Sequence, residues 1–360
     1  MSSLAQAARR AGVVGAVVLV ALAATTIASS STTAKKPPSL AQLVRASKKE
    51  SGLVFYGNPP TTNFKALLDK FNAKYPWIKT TSYDLEDNTV FSKYASEAAQ
   101  GVRSADVLIA SAPNLWIYAA RQGYAQNYTP FGLSAYPKFV KQFKGIYVMS
   151  PDPAVIVYNK AQVKAPTSVA AIASNPGTYK KVTGYTVDNT FGYTGLWGYV
   201  KLRGWSNLQK IGHRLTPTTG VASQLPLVAQ GGAQAAFLTS PTARFRIASD
   251  SNLEKLLDWR YAKDGEPLVP RGIAITKKAA SPNSAKLFLN WVYSKPGQQA
   301  MCDAGFTAFR NGFKPSGGCR NTLADVYRNV KRKNVILVPF SQRFVNDRPK
   351  FAARWHKIFG

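Results

Sequence analysis

An α/β fold is predicted by two observations. Short apolar runs rich in β-branched residues alternate along the chain with segments whose apolar residues recur at helical spacing. A 360-residue chain that is 45% apolar also has enough material for one large or two medium domains with real cores, and no internal repeat is visible.

The elements follow in order. Residues 53–56 (LVFY) form a strand ended by Gly57-Asn58-Pro59-Pro60. Phe64, Leu67, Leu68 and Phe71 then mark one helix face, closed at Tyr75-Pro76. A strand over 78–83 leads to a helix carrying Val90, Phe91, Tyr94 and Ala98, which closes at Gly101. Residues 106–110 (DVLIA) read as a buried strand, and Ser111-Ala112-Pro113 opens a helix because Pro suits a first turn. This βαβαβ run is one lobe. A turn at Ser150-Pro151-Asp152-Pro153 precedes a strand over 155–158 (VIVY), which crosses into a second unit. That unit has a strand at 182–187, a turn at 188–192, a helix through Trp197 and Val200, and a short helix at 205–211. Residues 224–230 lead to Gly231-Gly232 and a buried strand, 235–238, ending at Thr239-Ser240-Pro241. Residues 272–276 (GIAIT) are a further strand, and Ser281-Pro282 starts a helix whose face holds Ala285, Phe288, Leu289 and Val292. Residues 313–335 are expected to be irregular, and an aromatic-basic helix over 344–359 ends the chain.

The N-terminus places the protein outside the cytoplasm. Arg9 and Arg10 precede an uncharged stretch containing VVGAVVLVALAA and then small residues, the order of a secretory signal over residues 1–34. Cleavage after Ala28 and after Ala34 both fit, and retention as an N-terminal anchor is the alternative. No Cys follows the apolar stretch, so a lipobox anchor is excluded. No later run approaches membrane-spanning length.

The net charge is +30, from 47 Lys and Arg against 17 Asp and Glu. The basic residues are scattered and the tight cluster Lys331–Lys333 is short, which argues against nucleic acid as the partner. Affinity for an anionic cell surface and adaptation to an acidic habitat both remain open. Cys302 and Cys319 are the only cysteines, and an oxidising compartment makes a disulfide between them the default. His213 and His356 lie far from both cysteines in sequence, which disfavours a metal site.

Six segments in this order carry a family resemblance: LVFYGN (53–58), SADVLIAS (104–111), AVIVYNK (154–160), VDNTFGYTGLWGYVKLRG (187–204), VAQGGAQAAFLTS (228–240) and GIAITKKAASPNSAKLFLNWVYSKPGQQAM (272–301). Together they make the chain resemble the extracellular solute-binding proteins of ABC importers, in the branch that includes ferric-iron, organophosphate, phosphonate and polyamine binders. The resemblance implies a bilobal, type II periplasmic-binding-protein-like fold with two α/β lobes joined by a hinge. Residues 35–150 and 269–312 would then form lobe 1 and residues 151–268 lobe 2, with 313–360 packed on both. It further implies a small-molecule solute in the interlobe cleft, a membrane permease as partner, a monomer, and no cofactor.

The chain also departs from its iron-binding relatives. They carry a Tyr-Tyr pair after the strand that here ends Phe237-Leu238, whereas this chain has Thr239-Ser240-Pro241-Thr242. Ferric iron is a hard cation that takes oxygen donors such as phenolate and carboxylate, so direct iron binding is disfavoured.

Ligand sites in open α/β lobes lie beyond the carboxyl ends of the strands. Four such ends are readable: Asn58 with Thr61 and Thr62; Ser111; Asn189, Thr190 and Gly192; and Thr239 with Ser240. Small polar residues at helix starts suit an anionic group, with Arg244 or Arg271 to balance its charge. Tyr158 and Tyr193, with Tyr56 and Trp116, are candidate cleft walls. Asp84, Glu86 and Asp87 would favour a polyamine if they faced the cleft, but their position reads better as the acidic first turn of the helix carrying Val90. There is no G-x-S-x-G elbow, H-E-x-x-H motif or P-loop, and no catalytic residue is assigned.

Overall fold

The computed structural model describes residues 37–360, so the expected leader lies outside the described residues. Two mixed sheets organise the chain. The first begins with α1 (Leu40–Ser47), β1 (Leu53–Gly57), α2 (Thr61–Lys74), β2 (Thr80–Asp84), α3 (Asp87–Gln100), β3 (Val107–Ala110), α4 (Pro113–Arg121), β4 (Lys141–Phe143) and β5 (Ile146–Pro153). The chain then builds the second sheet with β6 (Val155–Asn159), α5 (Val169–Ser174), β7 (Val182–Tyr185), α6 (Thr190–Arg203), α7 (Ser206–Ile211), β8 (Leu215–Thr218), α8 (Val221–Ala229), β9 (Ala235–Thr239), α9 (Thr242–Ala248), α10 (Ser251–Leu256) and β10 (Leu257–Arg260). It returns through β11 (Glu266–Ile275), α11 (Pro282–Val292), α12 (Lys295–Asp303), α13 (Leu323–Asn329), β12 (Val335–Leu337) and α14 (Gln342–Phe359).

Strand order in the first sheet is β2-β1-β3-β11-β5-β4, with β12 added alongside β11; in the second it is β10-β6-β9-β7-β8. Within each sheet three neighbouring strands run parallel, β2-β1-β3 and β8-β7-β9, so their carboxyl ends and the helix starts after them gather at one edge. The chain crosses between sheets at Ala154 and again between β10 and β11. A third crossing follows β12: Val338, Phe344, Phe351 and Trp355 bury themselves in the core beside the second sheet. The first lobe is centred on an aromatic cluster, in which Phe288 packs edge-on against Phe55 and Phe71 at 4.7 and 5.1 Å between ring centres. These residues come from α2 and α11, whose apolar faces the sequence pattern had marked, and from β1, which the LVFY run had marked.

Two expectations are corrected. Residues 150–153 are not a turn but the buried end of β5, paired with β11. Pro151 stands opposite Pro270, a position that asks neither ring for an N–H, and β4 pairs β5 only near Tyr147 and Ile146, which leaves this stretch an unpaired outer edge. Residues 313–335 are not wholly irregular either. Thr322 caps α13 by accepting from the Asp325 amide, and Leu323 and Val326 bury its inner face.

Cys302 and Cys319 are disulfide-bonded, across a sequence separation of 17. Loops of this length lose entropy in the unfolded chain when closed, so reduction is expected to lower stability by roughly 2–3 kcal/mol. Urea unfolding with and without reductant measures this, and coincident curves would refute it.

Candidate functional site

The carboxyl edges of the two sheets line a half-open cavity of about 250 Å³. That space holds several waters and suits a small solute.

The first lobe supplies Asn58 after β1, Asp84 at the end of β2 with Glu86 and Asp87 after it, Ser111 after β3, and Arg271 from β11. Arg271 is buried against Asp152, its Nε donating to Oδ2 at 3.1 Å, and its Nη1 donates to Asn58 Oδ1. Asn58 in turn donates from Nδ2 to Asp87 Oδ1 at 2.6 Å. Behind them, the Thr307 amide donates to Ser150 Oγ, which donates to Asp152. A buried polar chain therefore runs from the core to the cleft wall. Burial pushes the Asp87 carboxyl up from 3.8 to about 6, and neighbouring Glu86 adds to the rise. Arg271, the Thr190 hydroxyl of the other lobe and the Ser111 amide pull it back in part. Ser111 Oγ is fully buried and has no hydrogen-bond partner.

The second lobe supplies Tyr185, Asn189, Phe191, the start of α8, Ser240, Thr242 and Arg246. Asn189 caps α6, accepting from the Gly192 amide at 3.0 Å. The α8 start has no side-chain cap, and Gly220, Val221 and Ala222 open on the cavity. Burial pushes the Tyr185 phenol far above its usual range, against the pull of Arg271, Arg246 and the amides of Ser240 and Val221. Arg246 Nε is buried without a partner. Leu238, inside β9 and two residues before Ser240, adopts φ 52°, unusual for a bulky non-glycine side chain.

Of the residues expected from sequence, Asn58, Ser111, Asn189, Ser240 and Arg271 line the cavity. Thr190 stands at its edge, facing Asp87. Gly192 sits behind it: a Cβ there would lie 2.3 Å from the Thr186 carbonyl oxygen, so the glycine lets α6 start close against β7. Three expectations are corrected by placement. The Tyr158 hydroxyl donates to Asp258 and that of Tyr193 to the Phe344 carbonyl, while Thr239 is buried against Gln224. Each turns away from the cleft because its side of the strand or helix faces a packed neighbour. Tyr56 and Trp116 are likewise engaged, with Glu97 and the Ala110 carbonyl, and the aromatic wall is Tyr185 with Phe191.

Arg244 also points elsewhere, to the Tyr261 hydroxyl at 3.1 Å. Arg246 takes the cleft position, four residues after Thr242 and so on the same face of α9. That spacing was the signal available in the sequence. Asp87 is the first residue of α3 and Glu86 its N-cap, while Asp84 ends β2, and all three are part of the cleft wall. Among the described residues no group of three or more His, Cys, Asp or Glu is arranged to hold a metal ion.

Comparison with known proteins agrees with this architecture. A substrate binding protein of an ABC transporter from Agrobacterium tumefaciens has 19% identity and a TM-score of 0.73, over 85% of this chain and 95% of that one. Iron-bound HitA from Pseudomonas aeruginosa has 16% identity and a TM-score of 0.67, over 85% and 99%. The periplasmic binding protein AfuA from Actinobacillus pleuropneumoniae, with fructose-6-phosphate bound, has 17% identity and a TM-score of 0.66, over 86% and 98%. No curated protein sequence matches. The two-lobed α/β architecture is the type II periplasmic-binding-protein fold. The family model described as bacterial extracellular solute-binding protein matches residues 58–299, a span that includes both cleft walls, and the chain belongs to that family.

Proposed function

We propose that the protein is an exported receptor that captures a small solute between its lobes and delivers it to the membrane permease of an ABC importer. The solute presents an anionic group, of phosphate, phosphonate or carboxylate type, to Arg246 and the uncapped start of α8. The observation that carries this reading is the buried, unpartnered Arg246 Nε beside the start of α8, which no side chain caps, in one small cavity. Lobe 1 takes residues 37–153 and 266–312 and lobe 2 takes 155–260, a few residues from the bounds expected from sequence because β5 ends at Pro153 and β11 starts at Glu266, and 313–360 packs on both. Export follows from the leader, and among the described residues no helix is long and apolar enough to cross a membrane. Ferric iron fits less well, because the cleft's one tyrosine, Tyr185, holds its proton tightly.

A thermal-shift panel of phosphates, phosphonates, sulfonates and carboxylates tests the reading. Arg246→Met should weaken the best binder by roughly 10- to 150-fold, the worth of a hydrogen bond to a charged group. Small-angle scattering should show a smaller radius of gyration with that binder, as both lobes close on it. A tyrosinate-to-iron absorption band on adding ferric ion would overturn the reading and restore iron as the solute.

A further inference from the structure

We infer that the cleft is built for a zwitterionic solute, whose anionic group meets Arg246 in the second lobe and whose amine-type cationic group meets Asp84, Glu86 and Asp87 in the first. The inference rests on the function proposed above and names the other end of the same solute.

The whole chain has only 17 carboxylates against 47 cationic side chains, yet three of those carboxylates line this one small cavity. Elsewhere carboxylates such as Asp106, Asp152, Asp325 and Asp347 meet a Lys or Arg nitrogen at 2.8–3.1 Å. Asp84, Glu86 and Asp87 have no such partner among the described residues, although cations are abundant in the chain. Their hydrogen-bond partners are uncharged, as Thr61 Oγ1 donates to Asp84 at 3.2 Å and Asn58 donates to Asp87, and Arg271, whose charge also acts on Asp87, is already paired with Asp152. Three like charges at one cavity wall repel one another, and Asp87 is also desolvated, so the ligand-free arrangement is costly. A bound ammonium group offsets both costs.

The helix dipole does not account for the cluster. It serves Asp87 and Glu86, which start α3, but Asp84 belongs to the end of β2. A dipole also favours the ionised form, whereas Asp87 holds its proton more tightly than usual. A second, independent feature points to a ligand at the same wall. Ser111 Oγ is fully buried, lines the cavity and has no partner, and a hydroxyl there can accept from an ammonium N–H. Nor do the carboxylates form a metal-holding group. The cleft is therefore divided by charge: on one lobe three carboxylates beside an arginine already paired with Asp152, on the other the Arg246 guanidinium and the uncapped start of α8. A solute with opposite charges at its two ends touches both lobes at once and so favours closure.

Calorimetry with matched probes tests this: phosphoethanolamine against ethyl phosphate and ethanolamine, and 4-aminobutanoate against butanoate and butylamine. One zwitterion should bind at least about tenfold more tightly than both of its single-charge counterparts. In the Asp84→Asn, Glu86→Gln double variant, its affinity should fall to within about twofold of the anion's. Both side chains are exposed, and circular dichroism checks that the variant folds. Equal or tighter binding of the anions overturns the zwitterion inference and leaves the proposed function standing. Binding of the amines as tight as the zwitterions overturns both and promotes a polyamine. Binding by no probe at millimolar concentration also overturns both.

Discussion

Replacing Arg271 with methionine should destabilise the protein by about 3–5 kcal/mol, seen as a lower urea midpoint with little change in slope. Arg271 and Asp152 have side-chain exposures of 3% and 0%, so deleting one charge strands the other in a medium that solvates it poorly. The loss spreads further, because Ser150 and Thr307 hang on Asp152 while Asn58 hangs on Arg271. The double variant Arg271→Met, Asp152→Leu should recover most of the stability, since removing both charges leaves neither unpaired. It should not recover solute binding, because Asn58 would still lack the group that holds it against Asp87. A double variant as unstable as the single one would show that the pair is not the source of the effect. Arg271 thus lines the cleft as expected from sequence, but its guanidinium is already engaged within the protein. It positions the cleft wall, and Arg246 is the arginine left for a solute.

What the sequence made legible depended on whether a signal was local. β1, α2 and β3 were readable because a β-branched run, or apolar residues at i, i+3, i+4 and i+7, is a property of neighbouring residues, and Gly101 closes α3 in the left-handed conformation that glycine favours. The end of β5 was not readable. Ser150-Pro151-Asp152-Pro153 has turn chemistry, and only its place at an unpaired edge opposite β11 makes it strand. The site divides in the same way. Strand-end residues such as Asn58, Ser111 and Ser240 could be placed because strand ends meet the cleft in any open α/β lobe. Which face of α9 turns inward is decided by packing: Arg244 is drawn out to Tyr261 and lies over the Trp259 ring, leaving Arg246 inside. Asp87 was read as a helix start, which it is. Its second role depends on Asn58, Ser111 and Thr190, which only the fold brings to it.

Asp87→Asn should make the ligand-free protein more stable at pH 7.5 while weakening its grip on an amine-bearing solute. Folding raises the Asp87 pKa from 3.8 to about 6, so between those values the native protein holds a proton that the unfolded chain has released. Stability from this group is therefore greatest at low pH, is lost as pH rises through that window, and is fully lost above about 6. The separation corresponds to about 3 kcal/mol, which the uncharged amide should regain while still accepting from Asn58. Urea unfolding of the two proteins should differ by about that much at pH 7.5 and converge near pH 4. In calorimetry, phosphoethanolamine or 4-aminobutanoate, whichever binds, should lose about tenfold in affinity for the variant at pH 7.5. A variant less stable than its parent at pH 7.5 would mean that the carboxylate is held by contacts worth more than its desolvation. The expected result is the opposite: a charge that costs the empty protein stability, that Arg271 offsets only in part, and that an ammonium group of the solute offsets further.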